Sequence, residues 1–307
     1  MNRQGNVIIP ENLSDAEIET RLTDAAVKIK RLRVPMVIFI ITAVFALFSS
    51  AVTYDPVVPF VIMLISIIAA GISFATLSNA RRVIKELVRN NIVKGVLSEE
   101  FELISYDPWG HIDIGTINAV SLFDRWNRCA GSDYIRGRYK GVNFTFSDLH
   151  LEHVVKRKKQ TVRVTRFKGQ WLICESRRAL PHSIHLRERE QLADRKRMKS
   201  NVETENSEFN NKYQIITADP HTLFYVLTPH FMEYILNMDN RADARTYMCF
   251  LGDKVHITLH NGRDLFEANE RMALRGISLD QIRDSIRWDV KYITSVIDEL
   301  LLNDRLF

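Results

Sequence analysis

The sequence predicts an α+β protein: an N-terminal two-helix transmembrane hairpin followed by a cytoplasmic mixed, mainly antiparallel sheet domain with packed helices. Three observations carry this. Two long uncharged apolar runs stand close together near the start of the 307-residue chain. Beyond about residue 106 the apolar pattern takes up the period of two that marks strands. Capped helices with apolar stripes then follow the strands, and such segregation belongs to α+β architectures.

Residues 1–33 read as a cytoplasmic amphipathic helix. Ser14 with Glu17 three residues later forms a capping box, and Ile18, Leu22, Ala25 or Ala26, Ile29 and Leu32 keep helical spacing. Residues 34–77 form the hairpin. Its spans are 34–52 and 57–77, and Asp55 is the lone charged residue between Val34 and Ala80. At about 1.5 Å per residue each run reaches roughly 30 Å, the thickness of the hydrocarbon core of a bilayer. A cleavable signal peptide does not fit, because the apolar run comes late, is too long and lacks a small-residue cleavage site. Lys28, Lys30, Arg31 and Arg33 precede the first span, and Arg81, Arg82, Lys85 and Arg89 follow the second. The loop Thr53–Pro56 has no Lys or Arg, so the positive-inside rule puts both termini in the cytoplasm. Small residues at Ala46, Ser50, Ser66, Ala70 and Ser73 favour close helix packing within the hairpin or in a homo-oligomer.

Residues 78–105 continue as a helical stalk, and 106–307 form the body. In GRYKGVNFTF, Lys140-Gly141 signals a turn, and Val142, Phe144 and Phe146 alternate onto one buried face. QTVRVTRF is read as half-buried through Val162 and Val164, a bend is placed at Phe167-Lys168-Gly169, and WLICE is read as a buried strand that takes Trp171 into the core. KYQIITA and TLFYVLT are read as strands, and YMCFL with KVHITLH as a hairpin across Gly252-Asp253. Thr228-Pro229 starts one helix. Ser278 with Gln281 starts the last, whose stripe of Leu279, Ile282, Ile286, Val290, Ile293, Ile297 and Leu300 packs on the sheet.

The chemistry is sparse. His150/His153 fall three apart on a strand and face opposite sides, and His182/His185 repeat the spacing in a predicted loop. His256 and His260 sit on a strand and its exit, so no metal is assigned. No nucleotide-binding glycine motif and no G-x-S-x-G is present, and neither catalytic residues nor a cofactor are assigned. Cys129, Cys174 and Cys249 are far apart and read as reduced core thiols. The spans carry no charge that would couple ions or protons.

Charge is concentrated instead. Residues 156–199 carry a net +11, residues 1–155 are neutral and residues 200–307 carry −6. The candidates for contact with an anionic surface are Lys156, Arg157, Lys158 and Lys159, with Arg195, Lys196, Arg197 and Lys199. Three readings stand beside one another: a solvated hairpin and connector, a contact with anionic lipid, and nucleic acid. The last is disfavoured because Phe167 and Trp171 belong to strands rather than to a stacking platform.

The order of a membrane hairpin, then DYIRGRYKGVNFTFSDLHLEH, TRFKGQWLICE and ETENSEFNNKYQIITADPHTLFYVLTPHFMEYI resembles the bacterial proteins carrying domain of unknown function 3137. The specific parts are Phe146-Ser147 with Glu152, Phe167-Lys168-Gly169, Glu208-Phe209, Thr228-Pro229 and Met232-Glu233. Gln170-Trp171 departs from the family pattern of a small residue or Gly-Leu. The resemblance implies a bacterial membrane setting and a shared fold, and it brings no activity. The expectation is a binding or scaffolding module of the bacterial plasma membrane, with anionic lipid or a protein as partner. The alternative is a membrane-tethered enzyme.

Overall fold

The computed structural model describes residues 13–50, 57–157, 160–189, 200–242, 244–301 and 306–307. Among these the order is α1 (Asp15–Ser50), α2 (Val57–Leu87), a π-helical segment (Val88–Val93), α3 (Lys94–Glu100), β1 (Glu102–Asp107), α4 (Ile114–Val120), β2 (Arg128–Tyr139), β3 (Val142–Arg157) and β4 (Gln160–Glu188). There follow α5 (Ser207–Lys212), β5 (Tyr213–Thr217), α6 (Pro220–Val226), α7 (Pro229–Ala242), β6 (Arg245–His260), α8 (Glu267–Leu274) and α9 (Leu279–Leu301). The chain divides into two compact units, Met1–Gly95 with Glu267–Ile286, and Val96–Phe266 with Arg287–Phe307.

In the first unit the capping box forms as the sequence predicts. The Ser14 N–H and Oγ both donate to Glu17 Oε2, at 2.9 and 2.7 Å. From there α1 runs unbroken through Pro35. Small residues line its contact with α2: Ala46, Ser66 and Ser73 are buried, and Thr42 Oγ1 donates to Ser66 Oγ at 3.1 Å. The large side chains point outward, with Phe45 and Phe48 74% and 71% exposed. By length and composition both helices suffice to cross a membrane. The predicted turn Thr53–Pro56 lies outside the described residues. Beyond α2, Arg89 is buried, and its Nε donates to Glu270 Oε1 of α8 at 2.6 Å. A buried guanidinium needs such a partner, so this pair fixes α8 against the π-helical segment.

The second unit is built on a six-stranded antiparallel sheet in the order β1-β2-β3-β4-β5, with β6 also on β4. The β2–β3 turn is the expected one. Lys140 and Gly141 take φ values of 46° and 84°, as a two-residue hairpin turn requires. Strand alternation then sorts two apolar layers. Phe146, Leu172, Ile257 and Leu259 face Tyr292, Ile293 and Val296 of α9. On the opposite side Leu149, Leu151, Phe167, Trp171 and Ile173 cluster with Ile117 and Val120 of α4. Every residue of the predicted α9 stripe is buried.

Five expectations are corrected. TLFYVLT is helix α6, because Asp219 accepts hydrogen bonds from the N–H groups of His221 and Thr222 and Pro220 occupies the first turn. This cap outweighs the β-propensity of the apolar run. YMCFL and KVHITLH form one strand, β6, whose halves pair with successive parts of β4. Gly252, at φ 59°, sits where the register shifts. Phe167-Lys168-Gly169 lies inside β4 without a turn, and so do His182 and His185. Val162 and Val164 do not line a buried face: at 39% and 41% they count among the exposed side chains, as do Thr161, Arg163 and Thr165 on the other side. Among the described residues no third strand reaches them, since β2 ends opposite Glu152 and β6 opposite Gly169.

Candidate functional site: a buried carboxylate cluster and a basic ribbon

Three aspartates distant in sequence converge in the second unit. Asp133 lies where the β2 register shifts, at φ 58°, and its Oδ1 accepts the Tyr106 hydroxyl at 2.7 Å. Asp148 on β3 continues the alternation Val142, Phe144, Phe146 and so enters the buried face. Its Oδ1 accepts Gln170 Nε2 at 2.8 Å and its Oδ2 accepts the Leu265 N–H at 2.9 Å. Asp264 follows β6. Its Oδ2 accepts Ser132 Oγ at 3.1 Å, and its Oδ1 is buried without a hydrogen-bond partner among the described residues. One oxygen from each carboxylate lies within 4.8 Å of the other two.

Burial first, then the charges of Asp264 and Asp133, push the Asp148 carboxyl well above the usual carboxylate range, against the two hydrogen bonds that favour its charged form. A proton shared in the cluster relieves that repulsion. Asp133, Asp148 and Asp264 are also oxygen donors of the type that hard cations take. Gln170 ties the cluster to the chain after β6. It donates to the Arg263 carbonyl at 3.0 Å and accepts Asn261 Nδ2 at 2.6 Å. The neighbouring cavity, lined by Phe146, Gln170, Leu172 and Tyr292 among others, has a volume of about 10 Å³, room for a single water. The sequence assigned no role to these acids. The available signal was Asp148 itself, a charge at a core position of an alternating strand.

The predicted basic segment is described only in part. β3 ends at Arg157 and β4 begins at Gln160, with the two residues paired, so a hairpin closes there. Lys156 is exposed; Lys158, Lys159, Arg195, Lys196, Arg197 and Lys199 lie outside the described residues. The hairpin outruns its neighbours as a two-stranded ribbon, clasped at its base by Asn127. The Asn127 side chain donates to the Val154 carbonyl at 2.9 Å and accepts the Val154 N–H at 2.8 Å. Paired residues share a face. Val154 and Lys156 pair with Arg163 and Thr161, while His153 and Val155 pair with Val164 and Val162. One face of the ribbon is therefore basic and the other apolar. Arg163 on the basic face and Arg166 at the register shift in β4 are exposed as well, though the sequence reading placed them in the strand alternation and not among the surface contacts.

Among the described residues no histidine joins a cluster of metal-ligating side chains. His150 Nε2 lies 3.1 Å from Thr165 Oγ1. Burial pushes His256 down to about 4, so the ring is neutral and its Nδ1 accepts Trp171 Nε1–H at 3.3 Å. The three cysteines are free thiols. Cys249 lies 3.8 Å from His185 Nε2, and burial pushes its thiol up to about 12, so the two form no thiolate–imidazolium pair.

Comparison with known proteins adds a similarity to one family over part of the chain, and no activity. Residues 165–302 match the family described as protein of unknown function (DUF3137). The match takes in Phe167-Lys168-Gly169, Glu208-Phe209, Thr228-Pro229 and Met232-Glu233, while Phe146-Ser147 and Glu152 precede it. The crystal structure of the mycobacterial trehalose monomycolate transport factor A, TtfA, aligns at 10% identity over 64% of this chain and 93% of that one. Its TM-score of 0.31 is too low to carry an argument. No curated protein matches the sequence.

Proposed function

We propose that this chain is a membrane-anchored binding or scaffolding module of the bacterial plasma membrane, with both termini and the sheet-containing body in the cytoplasm. On this reading the ribbon of β3 and β4 rests on anionic lipid. The ribbon is the observation that carries it. Two strands without further neighbours expose Lys156, Arg163 and Arg166 together with Val162 and Val164. That pairing of charge and apolar surface suits the boundary between headgroups and acyl chains. The outward-facing apolar side chains of α1 and α2 support the anchor.

The test uses the full chain in nanodiscs, with a spin label at Gln160. Label mobility is expected to fall when phosphatidylglycerol replaces phosphatidylcholine, and to recover at high salt as surface charge is screened. Identical spectra in both lipids would remove the lipid contact and leave a protein as the partner.

A further inference from the structure

The first unit contains a groove along the N-terminal half of α1, closed on its other side by the end of α8 and the turn into α9. Its volume is about 530 Å³, within the range of small-ligand sites. Leu22, Ala26 and Ile29 of α1 face Leu274 and Ile277 across it. Lys30, Arg33 and Arg275 stand at its rim, and none of them makes an ion pair among the described residues. The one acid in the lining, Glu19, sits eleven residues before Lys30, or about 17 Å along the helix.

We propose that this groove holds one anionic phospholipid, with its phosphate on Lys30, Arg33 and Arg275 and one acyl chain along the apolar lining. The inference rests on the membrane reading of α1 and α2. Two features select this occupant. The first is charge, because three unpaired cations beside an apolar trough suit a molecule with an anionic head and an apolar tail. The second is continuity. The groove extends to Val34, where the uncharged segment of the same unbroken helix begins, so its end lies at the height of the lipid phosphates. From Glu19 to Val34 the groove is about 22 Å long and leads away from the bilayer, and a single leaflet is about 15 Å thick in hydrocarbon, so one acyl chain drawn out of the leaflet fits along it.

Native mass spectrometry of the full-length protein in detergent, titrated with phosphatidylglycerol or phosphatidylcholine, tests this. One phosphatidylglycerol is expected to stay bound, at least tenfold more tightly than phosphatidylcholine. Lys30→Gln and Arg275→Gln, both at exposed positions, each weaken it about fivefold. Ala26→Trp, which fills the trough, abolishes retention, and the two glutamine variants keep the test independent of whether the tryptophan variant folds. Equal retention of both lipids, retention indifferent to all three substitutions, or a second protein copy in place of lipid would overturn the proposal. Alkaline extraction separates the two levels. A chain stripped from membranes overturns the anchor and the groove together, whereas an embedded chain that retains no lipid overturns the groove alone.

Discussion

The Asp148 carboxyl binds its proton more tightly than a free aspartate because the fold surrounds it with protein and two other carboxylates, and this makes stability depend on pH in a definite direction. Its carboxyl is raised in the folded state, so above the ordinary aspartate range the folded chain binds more protons than the unfolded one. Stability contributed by that proton is present at low pH and is lost as pH rises through the raised value. Asp264→Asn removes one of the charges responsible and places an amide where Oδ1 now has no partner. Thermal unfolding at neutral pH is expected to move up by about 2–4 °C, the equivalent of roughly 1 kcal/mol, with a flatter decline toward high pH. A lower midpoint with an unchanged slope would contradict the shared-proton account.

Among the elements, β4 depends most on a single position. At Gly169, φ is 152°, and a Cβ there would lie 1.9 Å from the Leu259 carbonyl oxygen of β6. Gly169→Ala therefore forces the two backbones apart and is expected to cost about 3 kcal/mol or more, read as a lower unfolding midpoint. The same position shows what the sequence could and could not convey. Phe167-Lys168-Gly169 was conspicuous, yet a glycine needed for a turn and one needed for close backbone approach look alike in one dimension. Elements set by local rules were legible: the Lys140-Gly141 turn, the alternation of Val142, Phe144 and Phe146, the box at Ser14 and the α9 stripe. Those decided by partners were not. TLFYVLT reads as a strand until Asp219 caps it, and β6 reads as a hairpin unless β4 is known to run past both of its halves. The carboxylate cluster was hidden for the same reason, since its members are joined only by strand pairing and by the chain after β6.

At the scale of the whole molecule, neither unit is continuous in sequence, and both are completed by residues after Phe266. A chain ending at Phe266 would leave Arg89 buried without Glu270, and breaking such a pair costs about 3–5 kcal/mol. It would also uncover the sheet face that carries Phe146 and Leu172. Limited proteolysis is expected to cut this shortened chain rapidly in both units while the full chain resists; equal resistance would contradict the interdependence.

The pair between Arg89 and Glu270 also sets a timetable. The two residues are 181 positions apart. At roughly 5–20 residues per second, synthesis leaves the end of α2 waiting about 9–36 s for its carboxylate. Throughout that interval the apolar helices are already made while the arginine that follows them still lacks Glu270. The end of α2, made well before α8, is thus among the last parts of its unit to be finished.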